Sequence, residues 1–360
     1  MTKGINIEGS TGVTIGVDLG DKQSSYCLVT GAGEILDEGR VPTTSAALQR
    51  RFSGIERARI LVEVGTHSPW VSRLLTGFGH EVVVVDPRKL DLIAQNDRKT
   101  DRHDAATLAL LGRLDVNLQL LRTVTHRSEE LQADLAVVRS RDALVRARTA
   151  LILHVRGSVK SVGGRLPACS APAFHRRATP HLPDSLKTGL LVVVVEIERL
   201  SEAIKEMDRL VVELATTKYE ETEALRQVPG VGHLTALAFV LTLADPQRFR
   251  KSRQVGAYLG LIPRQRQSGE RDPRLRITKA GDSYLRQLLV SAAHYVLGPF
   301  GPDCDLRRHG LQLAARGDKR RAVVAIARKL AVLLHRLWVT GEIFEPLRLA
   351  TRKEQLVSVA

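Results

Sequence analysis

The order of strand and helix signals in the first 114 residues constrains the fold more than any other feature of the chain. Val13 to Leu19 reads as a buried strand, Ser25 to Thr30 as its hairpin partner after a tight turn at Gly20 to Lys22, and Glu34 to Arg40 as a third strand after Gly31-Ala32-Gly33. Glycine-rich breaks between such runs are the hairpin signal. A helical stretch near Ala46 to Phe52 follows, then a strand Ala58 to Val64, a helix Pro69 to Phe78, and a strand His80 to Val85 closed by Asp86-Pro87. Further helical segments start at Arg88 and at Asp101.

This β-β-β-α-β-α-β-α order is that of the RNase H-like fold, an α/β domain in which the first three strands form a meander and the later ones run parallel. Four carboxylates stand at telling points of it. Asp18 interrupts the apolar strand Ile15-Gly16-Val17-Asp18-Leu19-Gly20, and Glu63 closes Ile60-Leu61-Val62-Glu63, a strand that this fold lays beside the first. Burying a lone carboxylate is costly, so Asp18 needs a cation or hydrogen-bond partners. Asp101 and Asp104 are three apart at a helix start and therefore share a face. Brought together, four carboxylates repel unless Mg²⁺ or Mn²⁺ neutralises them, and hard oxygen donors suit those ions. Two such ions about 4 Å apart activate an attacking oxygen and stabilise the leaving one at a phosphodiester. The plainer alternative is that Asp101 caps its helix, Glu63 faces solvent and Asp18 bonds a turn. Asp86, followed by Pro87, is read as a strand terminator, and His67 and His103 as supporting groups or ordinary surface histidines.

The middle of the chain changes period. Leu131, Leu135, Val138, Val145 and Ile152 keep three-and-four spacing, as do Leu190, Val193, Ile197, Leu200, Ile204, Met207, Val211 and Leu214. Two long helices in an antiparallel coiled coil are expected, the heptad favouring helix over strand at Val192 to Val195. Between them, Gly157 to Pro183 is rich in Gly, Pro, Ser and basic residues and is expected to be a flexible loop.

A third, mostly helical region starts at Gln227. Val228-Pro229-Gly230-Val231-Gly232 before an apolar run to Leu243 is a turn opening a helix, as in helix-hairpin-helix elements whose backbone N–H groups meet a phosphate. The basic segment Arg248 to Arg253 and a short helix to Leu259 follow, then helices Ser283 to Leu297 and Lys319 to Trp338. Between them Ser268-Gly269 sits among Arg264, Arg266, Arg271, Arg274, Arg276 and Lys279. Cations around a serine can stabilise the charge that develops when it attacks a phosphodiester. A basic DNA-binding hairpin with an incidental turn serine is the equal alternative, and Tyr258, Ser283 and Tyr284 are rival nucleophiles. Arg320 and Arg321, with Lys319, Arg328 and Lys329, give the last helix a basic face for nucleic acid or for solvent.

A formal charge of +15 favours a polyanionic partner through counterion release. The three cysteines, Cys27, Cys169 and Cys304, lack disulfide or zinc-knuckle spacing. Met1 to Thr14 has no basic-then-apolar pattern, and the longest apolar run, Leu190 to Val195, is far short of a bilayer span. A soluble, cytoplasmic protein without membrane partners is expected. Domains are read as 1–120, 121–224 and 225–347, with a tail 348–360.

Taken together, Gly16-Val17-Asp18-Leu19-Gly20, Glu63-Val64-Gly65-Thr66, Asp97 to Ala105, Val228 to Gly232, Gln267-Ser268-Gly269 and Arg276 to Gly281 resemble the insertion sequence 110 family of DEDD transposases. The resemblance runs from about Thr14 to Pro346, and the joint order of the motifs carries it. It implies a RuvC-like domain whose Asp18, Glu63, Asp101 and Asp104 bind Mg²⁺, a coiled coil, and a C-terminal domain whose Ser268 attacks DNA to give a phosphoserine intermediate. It also implies donor and target DNA as substrates, a structured non-coding RNA of the element as guide, and a dimer or tetramer with active sites composed from two subunits.

Three other functional classes share part of this pattern. An actin-like ATPase shares Asp18-Leu19-Gly20 before a hairpin but needs a second Asp-x-Gly strand turn that the helical second half does not supply. A Holliday-junction resolvase explains the carboxylates but not the coiled coil or the arginine-rich C-terminal region. A non-catalytic nucleic-acid-binding protein would tolerate loss of Asp18 or Glu63.

Overall fold

The computed structural model describes residues 12–86, 100–114, 121, 123–267, 273 and 275–348. The chain divides into two compact units, residues 1–129 and 130–360. The helical segment expected from Arg88 falls largely outside the described residues.

The first unit is a mixed five-stranded sheet in the order β3-β2-β1-β4-β5. Its strands are β1 (Thr14–Leu19), β2 (Gln23–Val29), β3 (Ile35–Pro42), β4 (Arg59–Glu63) and β5 (Glu81–Val85). β1 to β3 pair antiparallel as a meander, and β1, β4 and β5 run parallel. The helices are α1 (Ser45–Phe52), α2 (Ser68–Gly77) and α3 (Asp101–Leu114).

Successive strand residues point to opposite faces, and the burial follows. Ile15, Val17, Leu28, Ile60 and Val62 pack with Leu48 and Phe52 of α1 and Val71 and Leu75 of α2. On the other face Cys27 and Val29 meet Ala105 and Ala109 of α3, and Leu61, Val83 and Val85 meet Leu108. A sheet buried on both faces suits the near-continuous apolar runs of β4 and β5.

α3 lies close enough to the sheet to need glycine at two contacts. A Cβ on Gly16 would stand 2.0 Å from the Ala105 carbonyl oxygen and 2.5 Å from the Ala109 nitrogen, and one on Gly112 would stand 2.0 Å from a Leu61 methyl. Backbone atoms cannot change rotamer, so Gly16→Ala should cost about 3 kcal/mol or more. Urea denaturation checks this; a variant as stable as the parent would mean that α3 is not seated on β1.

The second unit is helical among the described residues. α4 (Glu129–Ser161) and α6 (Asp184–Thr217) run antiparallel, with α5 (Phe174–Ala178) between them. Arg141 pairs with Asp208 at 2.5 Å, Arg148 donates to Ser201 at 3.3 Å, and Val155 packs in one cluster with Val194. Each step is seven residues on both helices.

The intervening segment is not the flexible loop expected from its composition. Phe174, Ala178 and Leu182 bury against Val155, Val159, Leu190 and Val194 in a small core of their own. Arg156 ties the turn down by donating to the Pro167 carbonyl at 3.1 Å.

The rest of the unit comprises α7 (Glu221–Arg226), α8 (His233–Leu243), α9 (Arg253–Tyr258), α10 (Ser283–Leu297), α11 (Asp305–Arg316) and α12 (Lys319–Thr340). α8 is buried almost throughout, at the centre of a core shared with α10 and α12. α11 was not foreseen from the sequence.

Candidate active site and nucleic-acid face

The strand register sets where the carboxylates fall. Val17 and Val62 are partners across β1 and β4, so Asp18 and Glu63 each stand one residue further on, side by side. Gly16 and Leu61 both contact α3, and alternation puts Asp18 and Glu63 on that same face. Asp18 is also the register partner of Ser25, and Ser25 of Arg40. A lateral row Glu63, Asp18, Ser25, Arg40 therefore crosses four strands under α3.

The first turn of α3 comes down on this row. Asp101 reaches Arg40 at 3.8 Å, and Arg102 Nε donates to Glu38 at 2.8 Å. With strands about 4.8 Å apart, Arg40 is roughly 10 Å from Asp18. Asp104 shares the face of Asp101 and is buried at 8% exposure, whereas Asp101 is exposed. Thr100 starts the helix, its carbonyl accepting from the Asp104 N–H at 3.0 Å and its hydroxyl from the His103 N–H at 3.3 Å. Two acids in the first turn also meet the positive end of the helix.

All four sequence-predicted carboxylates thus share the α3 side of the sheet. They do not form a closed cage: among the described residues no group of three His, Cys, Asp or Glu side chains is close enough to hold a metal ion. Asp101 spends its charge on Arg40, a competition that spacing in the sequence could not reveal. Asp86 ends β5, and His103 is exposed on α3.

The loop after Glu63 is held by Ser68, Trp70 and His126, which carry no local sequence signal, together with His67. The Ser68 hydroxyl donates to the Gly65 carbonyl at 2.8 Å and accepts from the Gly65 N–H at 3.0 Å, and it meets His126 Nε2 at 2.9 Å. Trp70 Nε1–H donates to His67 Nδ1 at 3.1 Å, which leaves the His67 proton on Nε2, 3.4 Å from Asp21 in the β1–β2 turn. His67 thereby links the loops following β1 and β4.

Burial, helped by the Arg73 and Arg127 guanidiniums, holds His126 below the usual imidazole value. The unfolded chain then takes up a proton near pH 6.5 that the folded chain refuses, so stability falls as pH falls through that value. We expect the parent to lose more stability between pH 7.5 and 5.5 than His126→Gln does, by urea titration at both pH values. Equal losses would mean that His126 does not contribute.

In the second unit, Ser268, Arg271 and Arg274 lie outside the described residues. The described segments flanking them form a two-stranded ladder: Arg264 N–H donates to the Arg276 carbonyl at 2.9 Å, Thr278 N–H to Ile262 at 2.9 Å, and Lys279 N–H to Gly260 at 3.1 Å. Arg264 and Arg266 are exposed on the first arm. Arg276 and Lys279 on the second arm, with Arg320 and Arg321 of α12, line one cavity of about 1500 Å³. Two segments separated in sequence are thus brought to one basic surface.

The rival nucleophiles differ in access. Tyr284 is buried, burial pushes its phenol up, and the Arg139 guanidinium lies 5.3 Å from its ring centre. Tyr258 packs edge-on to Phe249 at 5.3 Å with Arg248 over its ring. Ser283 is exposed at the start of α10, capped by Asp282.

The turn at Gly230 also takes its expected place. Gly230 has φ +81° and abuts Ala292 and Tyr295 of α10, and Gly232 leads into α8. Beside it Arg226 donates to His233 Nε2 at 2.5 Å; burial and that guanidinium lower the His233 value. Among the described residues no helix is long and apolar enough to cross a membrane.

Comparison with known proteins adds a second line. Residues 15–163 match the model of the IS110 DEDD transposases, and residues 222–303 match the model described as "Transposase IS116/IS110/IS902 family". The transposase for insertion sequence element IS1111A of Coxiella burnetii is 28% identical over 92% of this chain and 90% of its own. A Pseudomonas aeruginosa protein named "Probable family 20 transposase" is 30% identical over 82% of this chain and 88% of its own. The transposase for element IS1328 of Yersinia enterocolitica is 29% identical over 68% and 75%.

Proposed function

The chain belongs to the IS110 family of transposases, an enzyme class that cleaves DNA and transfers its strands, and on that premise we propose that its first unit is the metal-dependent half of the reaction. The observation that carries this reading is the common face: Asp18 and Glu63 side by side at adjacent strand ends, under the helix that begins with Asp101 and Asp104. We read the first unit as RNase H-like and the α4–α6 pair as an antiparallel coiled coil.

DEDD transposases use divalent metal ions, and an all-carboxylate donor set on one face suits Mg²⁺ or Mn²⁺ rather than a softer ion. Asp18, Glu63, Asp101 and Asp104 would hold two ions, which supply charge neutralisation at the attacking and leaving oxygens of a phosphodiester. Loading them asks Asp101 to exchange Arg40 for the ion, and the freed guanidinium is then available to a DNA phosphate. Ser68 and His126 keep the Glu63 loop in place, and His67 bridges it to the β1 turn.

Ser268 is the proposed nucleophile. Its hydroxyl oxygen forms a bond to a DNA phosphorus, the bond from that phosphorus to a deoxyribose oxygen breaks, and that oxygen leaves with a proton as a free strand end. Arg264, Arg266, Arg271, Arg274, Arg276 and Lys279 would balance the charge, with Arg320 and Arg321 on α12 extending the DNA-contacting face. A structured RNA from the element's non-coding flank would guide donor and target DNA to a dimer or tetramer.

The test is a bacterial host carrying this gene with its flanking non-coding DNA on a plasmid. Amplification across the excision junction should give a product with the gene and none when the gene is deleted. Equal product in both strains would overturn the assignment of strand transfer to this chain. An RNA transcribed from the flank should copurify with the protein, and its absence would overturn RNA guidance alone.

A further inference from the structure

α12 carries cations and apolar side chains in alternate turns of one stripe. Arg320 and Arg321 are followed by Val324 and Ala325, then by Arg328 and Lys329, then by Val332 and Leu333, and then by Arg336. All of them line the large cavity of the second unit. The repeat of eight residues is about 12 Å of helix, and the stripe is about 24 Å long. Leu261, Leu275, Ile277 and Phe344 extend the apolar floor, and Arg253, Arg276 and Lys279 add cations to the wall.

The charge is almost uncompensated. The wall holds nine cations and three carboxylates. Arg336 and Arg348 share Glu342. Among the described residues the other seven have no carboxylate within 4.0 Å. Exposed Arg102 and Arg308, by contrast, are each paired with a carboxylate. Unpaired cations held around one cavity build a field that draws a polyanion.

An anion alone does not account for the floor. A duplex presents phosphates and sugars to a protein surface and keeps its bases stacked inside, so a wall meant for duplex backbone gains nothing from apolar turns between the cationic ones. Apolar surface left in water is unfavourable at roughly 25 cal/mol per Å². The occupant must therefore offer charge and flat apolar surface by turns along its length. Unpaired nucleotides do so, since every base has an apolar face beside a charged link. At about 1500 Å³ the cavity exceeds the size that holds one drug-sized ligand, so it takes several nucleotides rather than one.

We infer that this cavity binds an unpaired polynucleotide segment, with phosphates on the cationic turns of α12 and bases turned on to the apolar floor between them. The inference rests on the reading of this face as the nucleic-acid face and adds the state of the strand it takes.

The experiment uses the full-length protein without divalent metal and a fluorescent 12-mer of oligo-dT, followed by anisotropy. The comparison probes are an abasic 12-mer with the same phosphates, a 12-base-pair duplex and an oligo-rU 12-mer. The abasic strand should bind at least about tenfold more weakly than oligo-dT. The double variant Val332→Ser, Leu333→Ser should bring oligo-dT down to the abasic level while the abasic affinity stays put. Arg328→Gln with Lys329→Gln should weaken every strand. Val324→Thr, which keeps the side chain's shape, guards against a folding defect in the double variant and should show a smaller loss in the same direction. Tighter binding of either oligo-dT or oligo-rU supports the inference and identifies the strand's chemistry.

Equal affinity for oligo-dT and the abasic strand, or preference for the duplex, would overturn the inference while leaving the nucleic-acid face in place. Binding of every probe unchanged by the Arg328 and Lys329 substitutions would overturn both. Dissociation of an oligomer by the floor variants, with oligonucleotide binding intact, would assign the floor to a second copy of the chain.

Discussion

Asp18→Asn and Glu63→Gln should each lower strand exchange by about a thousandfold or more while leaving nucleic-acid binding within about twofold. Each change keeps the shape of the side chain and removes one charge from the pair at the ends of β1 and β4. Divalent ions at such sites contribute several kcal/mol to the transition state, and about 4 kcal/mol is three decades of rate. On the proposed reading, binding draws chiefly on the cationic surface of the second unit, which neither change touches. The readout is the junction product in cells and strand exchange in vitro, with anisotropy for binding. Neighbouring Ser25→Ala, in the same row but without charge, serves as the control and should retain activity. Activity that survives in Asp18→Asn, or in the parent with a strong Mg²⁺ chelator, would remove the metal site from the mechanism. Equal loss of binding and activity would reduce Asp18 and Glu63 to structural groups.

Ser268→Ala should abolish covalent attachment of the protein to DNA. With Mg²⁺, donor and target DNA and the flanking RNA, the parent should give an adduct that survives denaturation, and the variant should give none above background. On the proposed route the group removed is the attacking atom itself, so no partial activity is expected by that route. An adduct persisting in Ser268→Ala would move the nucleophile elsewhere. Ser283 would then be tested first, because it is exposed at the start of α10, whereas burial keeps Tyr284 protonated. Cleavage with no adduct in the parent would instead favour direct attack by water.

Much of this was legible in the sequence where local signals and packing agree. The meander was readable because glycine turns separate its strands, and the parallel strands because β1, β4 and β5 are apolar runs buried on both faces. The partnership of Asp18 with Glu63 followed from strand order alone. What sequence could not give was the sideways distance across the sheet. Asp101 meets the Arg40 guanidinium at 3.8 Å, a contact set by how α3 seats against Gly16. The clasp of Ser68, Gly65 and His126 joins residues up to 61 positions apart and has no local signature.

Two elements of the second unit were misjudged for a common reason. The segment 157–183 carries Gly, Pro, Ser and charge like a loop, yet Phe174 and Leu182 find apolar partners on the ends of both long helices. α11 contains Gly310, a residue type that weakens a helix interior. There the missing side chain makes room for Leu297 and Ile326, since a Cβ would stand 2.5 and 2.7 Å from them. Composition describes what a segment does alone, and both segments gain their order from neighbours.

The matched heptad steps between α4 and α6 restrict how this gene can change in length. One residue inserted into α4 rotates everything beyond it by about 100°, turning Arg148 and Val155 away from Ser201 and Val194. A free loop at the far end could absorb such a slip, but the packed turn around Phe174 cannot. Natural insertions and deletions along this hairpin should therefore occur as paired changes in both helices, in whole heptads, with the Phe174 turn carried outward or inward intact.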